Sequence, residues 1–197
     1  MIQQLHQQHV HTRRVRILAQ HLAKLIPQHA AVLDVGCGDG LLASLVQALR
    51  PDISISGIEV LVRNQTAIPM MPFDGEHIPS ADHSVDVVMF VDVLHHTHDQ
   101  MVLLREAKRV ARQCILIKDH TCDGLFANAT LRFMDWVGNA SYGVALPYNY
   151  WSEAKWRESF NRLSLTITSW DQSLGLYPFP ASLLFEQRLH VITKLQI

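Results

Sequence analysis

Nine residues, VLDVGCGDG (32–40), constrain this 197-residue chain more than any other stretch. A short apolar run ends in Asp34, Gly36, Gly38 and Gly40 follow at alternate positions, and LLASLVQALR (41–50) then has the look of a helix stopped by Pro51. A strand that turns through glycines into a helix lets the backbone approach a ligand closely and points free N–H groups at it. Such turns lie at the ligand crevice of doubly wound α/β sheets. A dinucleotide fingerprint needs a third glycine where Leu41 stands. Asp34 beside the turn suits a cationic ligand group better than a pyrophosphate. Glu59 ends the next apolar run about 20 residues on, where a carboxylate can accept both hydroxyls of a ribose.

The rest of the chain alternates in the same way. Apolar residues from Arg13 to Ile26 recur at helical spacing, and Pro27 ends that helix. Strands are expected at 31–36, 53–59, 70–73, 85–91 and 114–120, with a helix at 101–111. The C-terminal third is aromatic over 124–162 and then offers two more strands, 163–170 and 184–197, as an antiparallel pair. The expectation is one α/β domain over 1–197. Its sheet has seven strands, is mostly parallel and doubly wound (Rossmann-like), and ends in an antiparallel last strand, with a helical insertion before strand six. The Gln/His-rich first eleven residues are expected to fray.

Composition narrows the function classes. With 48% hydrophobic residues the chain can bury a core, and a net charge of −1 argues against a polyanion-binding protein. The cations Arg105, Lys108, Arg109 and Arg112 are spaced as a solvated helix face. Three cysteines, Cys37, Cys114 and Cys122, without regular spacing imply no disulfide framework. No signal-peptide core precedes Arg13, and the apolar stretch 85–91 is too short to span a bilayer, so a cytoplasmic protein is expected.

VLDVGCGDG, then GIE (57–59), then FDGEHIPSADHSVDVVMFVDVLHH (73–96) resemble a class I S-adenosylmethionine (SAM)-dependent methyltransferase of the broad group that includes ubiquinone- and menaquinone-biosynthesis enzymes. The resemblance covers roughly residues 30–120. It implies that Gly36, Cys37, Gly38 and Gly40 wrap the methionine part of SAM, and that Asp34 orients this loop or the ligand amine. It implies that Glu59 binds the ribose hydroxyls with Val60 and Leu61 beside the adenine, and that Asp74 and Gly75 meet the adenine edge. Val91 and Asp92 would meet the ligand near its amino group and sulfur. The helix within residues 1–29 would close over the site as a lid, bringing Arg13, Arg14 and Arg16 near the SAM carboxylate. One departure stands out: only fourteen residues separate Glu59 from Asp74, two of them prolines, so a full helix between the second and third strands has no room.

Methyl transfer needs an in-line nucleophile and, for a phenol or alcohol acceptor, a base. His95 and His96 are the candidates for that proton, with His98 behind them. HHTHD (95–99) contains metal-ligand types, but its spacing gives no helical ligand pair, and no metal is expected. Residues 121–162 would cover a small-molecule substrate, with Trp136, Tyr142 and Tyr148 facing it. LPYNY (146–150) lacks the order of the NPPY motif of amino-methylating DNA enzymes. The expected reaction is transfer from SAM, leaving S-adenosylhomocysteine, to an O, N or C nucleophile by a monomer or homodimer. A silent SAM-fold binding module, a nucleic-acid methyltransferase and an NAD-linked oxidoreductase are the alternatives.

Overall fold

A computed structural model describes residues 2–139, 147–186 and 188–197, with side chains from residue 12 onward except at 138 and 139. The strands are β1 (Ala31–Val35), β2 (Ser54–Glu59), β3 (Met70–Pro72), β4 (Val85–Val91), β5 (Ala111–His120), β6 (Thr166–Asp171) and β7 (His190–Gln196). The helices are α1 (Ile2–Leu25), α2 (Leu41–Leu49), α3 (Gln100–Val110), α4 (Ala127–Asn139), α5 (Glu153–Arg162) and the single turn α6 (Ser182–Phe185). A 3-10 turn, Leu94–His96, follows β4.

The seven strands form one sheet in the order β3-β2-β1-β4-β5-β7-β6. All neighbours pair in parallel except β7, which runs antiparallel to both β5 and β6. This is the expected architecture, antiparallel last strand included. β1, β4 and β5 are apolar on both faces because helices cover both. One core packs Leu18, Leu22 and Ile26 of the α1 end with Ala43 and Val46 of α2 against β1, β2 and β4. The other packs Leu103, Leu104 and Ala107 of α3 with Trp156 and Phe160 of α5 against the opposite face. Arg50 closes the C-terminal end of α1, donating to the carbonyls of Ala23, Ile26 and Pro27 at 2.7, 2.8 and 3.1 Å. A guanidinium suits that end of a helix, where carbonyls lack partners.

Several boundaries differ from expectation. The first helix begins at Ile2 rather than near Arg13. Its Gln-rich start holds no Gly or Pro, and Gln is a good helix former. β5 begins at Ala111, three residues early, because α3 passes directly into it. β6 begins at Thr166, since Leu163 still caps α5. β7 begins at His190, and part of its expected start is α6. As expected from the short spacing, residues 60–69 contain no helix.

Candidate functional site

The strand order reverses direction at β1, with β2 on one side and β4 on the other. The crevice between the C-terminal ends of β1 and β4 is therefore the switch point where open α/β sheets bind ligands. The glycine turn and the residues after β4 meet there. Gly36 has φ +71°, and a Cβ on it would lie 2.7 Å from a Val93 methyl, so only glycine lets the turn pass so close to β4. Gly38, at φ +62°, is the opposite case: nothing lies within 4 Å of where its Cβ would be. Its Cβ side is open space, so the turn there is uncovered by protein. Gly40 leads into α2 and packs beside Ile68.

Asp34 is 3% exposed and its Oδ1 has no hydrogen-bond partner. Burial, reinforced by the Glu59 carboxylate, pushes its pKa up to about 8. Burial also lifts the Cys37 thiol to about 12, with Asp34 and Glu59 adding to it. An acid made so costly to ionise fits a cationic partner. Glu59 accepts the N–H of Gly38 at 2.7 Å through one oxygen and those of Val60 and Leu61 at 2.8 and 3.3 Å through the other. It thus ties the glycine turn to the end of β2. Asp74 is exposed, and its Oδ1 accepts from Glu76 and His77 at 2.8 and 2.6 Å. Those backbone bonds hold its pKa down. Gly75 turns beside Val60. The orphaned buried acid, the uncovered Gly38 and the acid at the end of β2 fit a group carrying a sulfonium, an ammonium and a ribose diol.

The second half of the site is a buried charge cluster that sequence reasoning saw only in part. Val91 ends β4 opposite Lys118, and Asp92 follows at φ +57°. The Asp92 side chain pairs with Arg14 of α1 at 2.6 Å and with the fully buried Lys118. Burial opposes its charge, but Lys118 and Arg14 hold it well below the usual carboxylate range. Burial likewise lowers the Lys118 pKa, with Asp92 acting against it. Of the three arginines, Arg14 reaches Asp92, Arg13 donates to the Gly175 carbonyl at 3.2 Å, and Arg16 is exposed.

His95 is 1% exposed. Its Nδ1 donates to Asp119 at 2.6 Å, and Asp119 also accepts from the Leu94 and His120 N–H groups. Its Nε2 faces Asp135 Oδ1 at 3.4 Å, and the other Asp135 oxygen accepts the Tyr150 hydroxyl. Burial works against charge on the His95 ring, but Asp119 and Asp135 outweigh it and lift its pKa to about 10. His96 is partly exposed, its ring 4.0 Å from that of His95, and burial together with His95 lowers its pKa. His98 is exposed. Burial and then Lys118 bring His120 down to about 4.

The aromatic segment divides. Trp151, Trp156 and Phe160 are core, and the Trp156 indole donates to the His120 carbonyl. Tyr148 lies under the Arg132 guanidinium, 4.3 Å from ring centre, and next to Tyr150. Trp136 is 58% exposed on α4 and outside the charge cluster. Tyr142 lies outside the described residues. Asn149 of LPYNY clamps the turn after β4, donating to the carbonyls of Thr97 and His98. The expected basic face is also largely engaged: Arg109 binds Glu106 and Asp82, Lys108 the Leu163 carbonyl, and Arg112 lies 3.6 Å from Asp86.

Lys118, Asp119, His120, Asp135, Tyr150 and His190 were missed by the reading of the sequence. For the first three a signal existed. KDH closes the apolar run Cys114–Ile117 at the C-terminal end of β5, where switch-point ligands bind. Asp135, Tyr150 and His190 carry no local signature.

Comparisons with known proteins agree with this geometry. Residues 33–114 match the family model of a methyltransferase domain. Over 109 residues, 48% of this chain and 40% of the relative, it is 32% identical to 27-O-demethylrifamycin SV methyltransferase of Amycolatopsis mediterranei. The chain spans about two fifths of the length of the curated relatives it matches. Its fold superposes with a TM-score of 0.70 at 17% identity on a chain of the Haloferax volcanii complex between the Trm112 methyltransferase activator and a methyltransferase, covering 91% and 88% of the two chains. A SAM-dependent methyltransferase from Aquifex aeolicus gives a TM-score of 0.64 at 15% identity, covering 93% and 92%. The matched segment carries both the glycine turn and the acid that ends β2, and the sheet around them has the fold of the solved methyltransferases: residues 33–114 resemble a methyltransferase domain, and the relatives are named as users of SAM.

Proposed function

We propose that the chain is an enzyme that transfers a methyl group from SAM to a small-molecule acceptor through an O, N or C nucleophile. The observation that carries this reading is the pairing, in one crevice, of a cation-seeking cradle with a histidine cluster. Asp34, Glu59 and the uncovered Gly38 form the cradle, and His95 and His96 stand across from it after β4. SAM supplies a methyl group activated on a sulfonium, so the protein's task is to bind, orient and exclude water.

In this reading Asp34 faces the positive charge and Glu59 turns from Gly38 to the ribose hydroxyls. The free oxygen of Asp74 and the Gly75 N–H take the adenine edge beside Val60. Cys37, Gly36 and Gly40 shape the loop, and the backbone of Val91 and Asp92 lines the methionine end. α1 is the lid, held across the crevice by Arg14 on Asp92. Residues 121–162 cover the acceptor, with Tyr148 and Trp136 facing it and His95 and His96 handling its reacting atom. The Amycolatopsis relative's name describes a methyltransferase of a small molecule, which supports the same class here. We place the protein in the cytoplasm as a monomer or homodimer that binds no nucleic acid. Among the described residues no helix is long and apolar enough to cross a membrane, and all three cysteines are free.

The test is calorimetric titration with S-adenosylhomocysteine, using NADH as control and Glu59→Ala as the variant. Micromolar binding that falls at least about a hundredfold in Glu59→Ala, with no NADH binding, is expected. Absence of nucleoside binding by the folded protein overturns the assignment in favour of a silent module, and NADH binding overturns it in favour of an oxidoreductase.

A further inference from the structure

The His95 side chain poses a chemical problem. Its Nδ1 must be the donor to Asp119, because a carboxylate only accepts. Nε2 is buried, has no hydrogen-bond partner and faces a carboxylate oxygen of Asp135 at 3.4 Å, so a positive charge, a proton or a metal ion, belongs between them. Two electron-rich atoms do not face each other in a buried site without a positive charge between them. A proton on Nε2 would give a charge-assisted bond, and those close to about 2.7–2.9 Å. Ligand atoms about 2.1 Å from a tetrahedral ion lie about 3.4 Å apart, the separation seen here. His96 completes a set, since one ligand atom from each of His95, His96 and Asp135 lies within 4.8 Å of the others.

We propose that His95, His96 and Asp135 bind one divalent first-row transition-metal ion of the zinc type. Two imidazoles and a carboxylate suit such ions rather than calcium or magnesium. The outer partners are in place as well. Asp119 holds the His95 ring by its far nitrogen, and Tyr150 donates to the far oxygen of Asp135. Both are the supports that metal ligands ordinarily receive. His96 is partly exposed, which gives the ion a path in, and three protein ligands leave a position open for an oxygen. An acceptor hydroxyl bound there would lose its proton near neutral pH; this consequence alone rests on the methyl-transfer reading. The second carboxylate–histidine group, His95, Asp119 and His120, is the weaker candidate because Asp119 already spends the same oxygen on two hydrogen bonds.

The chelator-stripped full chain is titrated with Co²⁺ alone, followed by visible absorption, and then with Zn²⁺ as competitor. One equivalent of Co²⁺ in a low-coordinate site, displaced by Zn²⁺, is expected. His96→Ala and Asp135→Asn should each weaken binding at least about a hundredfold, and Tyr150→Phe about tenfold. Replacing His6, His9 and His11 together by Ala should leave it unchanged. Circular dichroism checks each variant, and if His96→Ala or Asp135→Asn is unfolded the Tyr150→Phe shift carries the test. The proposal is overturned if the wild type binds no Co²⁺ or if binding survives His96→Ala. Loss of binding with the N-terminal histidines, or two protonated His95 nitrogens by NMR in the presence of equimolar Zn²⁺, also overturns it. S-adenosylhomocysteine binding is scored separately, so failure of the metal site and failure of the methyl-transfer reading are distinct results.

Discussion

The turn after β1 and the charge cluster at the ends of β4 and β5 share one crevice but are built in opposite ways. The turn takes its members from residues 34–40 and one acid at the end of the neighbouring strand, and it sets backbone N–H groups beside two carboxylates. The cluster takes Arg14, Asp92, His95, Lys118, Asp119, Asp135, Tyr150 and His190 from seven places in the chain, and its work is done by side chains that satisfy one another. The first should fail in ligand binding when altered, and the second in stability.

Lys118→Ala should produce the largest loss. It leaves Asp92 with Arg14 and the His120 ring at 3.7 Å and strips the Lys118 Nζ from His190. Removing one partner of a buried pair costs about 3–5 kcal/mol, read as a lower denaturation midpoint at unchanged slope. Gly36→Ala tests the other side. The new methyl must enter Val93 at a positive φ, which combines overpacking and left-handed strain of about 2–4 kcal/mol. Unlike Lys118→Ala, it should abolish S-adenosylhomocysteine binding even under conditions where the variant is folded.

Asp34 couples stability to ligand binding through pH. Its pKa of about 8 in the free protein lies above the ordinary carboxylate value. A proton is therefore retained on folding, and Asp34 costs stability increasingly as pH rises from about 4 towards 8. A cationic ligand favours the ionised form, so SAM should bind more tightly as pH rises from 6 towards 8, by at most about tenfold per unit, with release of a proton. Asp34→Asn should flatten that profile and lose less stability between pH 6 and 9 than the wild type. Calorimetry in buffers of different ionisation enthalpy counts the proton. The smallest effect belongs to Trp136→Ala: at an exposed position stability should shift by no more than about 0.5 kcal/mol, and a larger shift would mean that α4 packs more firmly than its exposure suggests.

The same contrast explains what was legible in the sequence. Glycine spacing, apolar runs and the position of Glu59 are local, so the parallel sheet and the glycine turn beside the acid that ends β2 could be read residue by residue. The short 59–74 interval was equally local, and it ruled out a helix that is indeed absent. The place of His95 and His96 was legible because they follow β4 directly. Asp135 and Tyr150 were not, because nothing near Asp135 in α4 distinguishes it from a surface acid. Only the docking of α4 and of residues 147–150 onto the turn after β4 brings them to His95. Helix α1 was read short for a related reason: Gln and His carry no apolar period, although they continue a helix without strain.

The missing helix between β2 and β3 has a consequence of its own. Residues 60–69 are a thin loop, and Val60, Leu61 and Val62 stand 51%, 60% and 43% exposed. A nucleobase resting on Val60 would have a wall on one side and solvent at its rim. Chemical tags attached to the base on the side away from Asp74 and Gly75 would then project outward instead of colliding with protein. Such enlarged cofactor analogues should compete with S-adenosylhomocysteine nearly as well as the parent nucleoside, which would give this fold a handle for selective labelling that a helix-covered relative lacks.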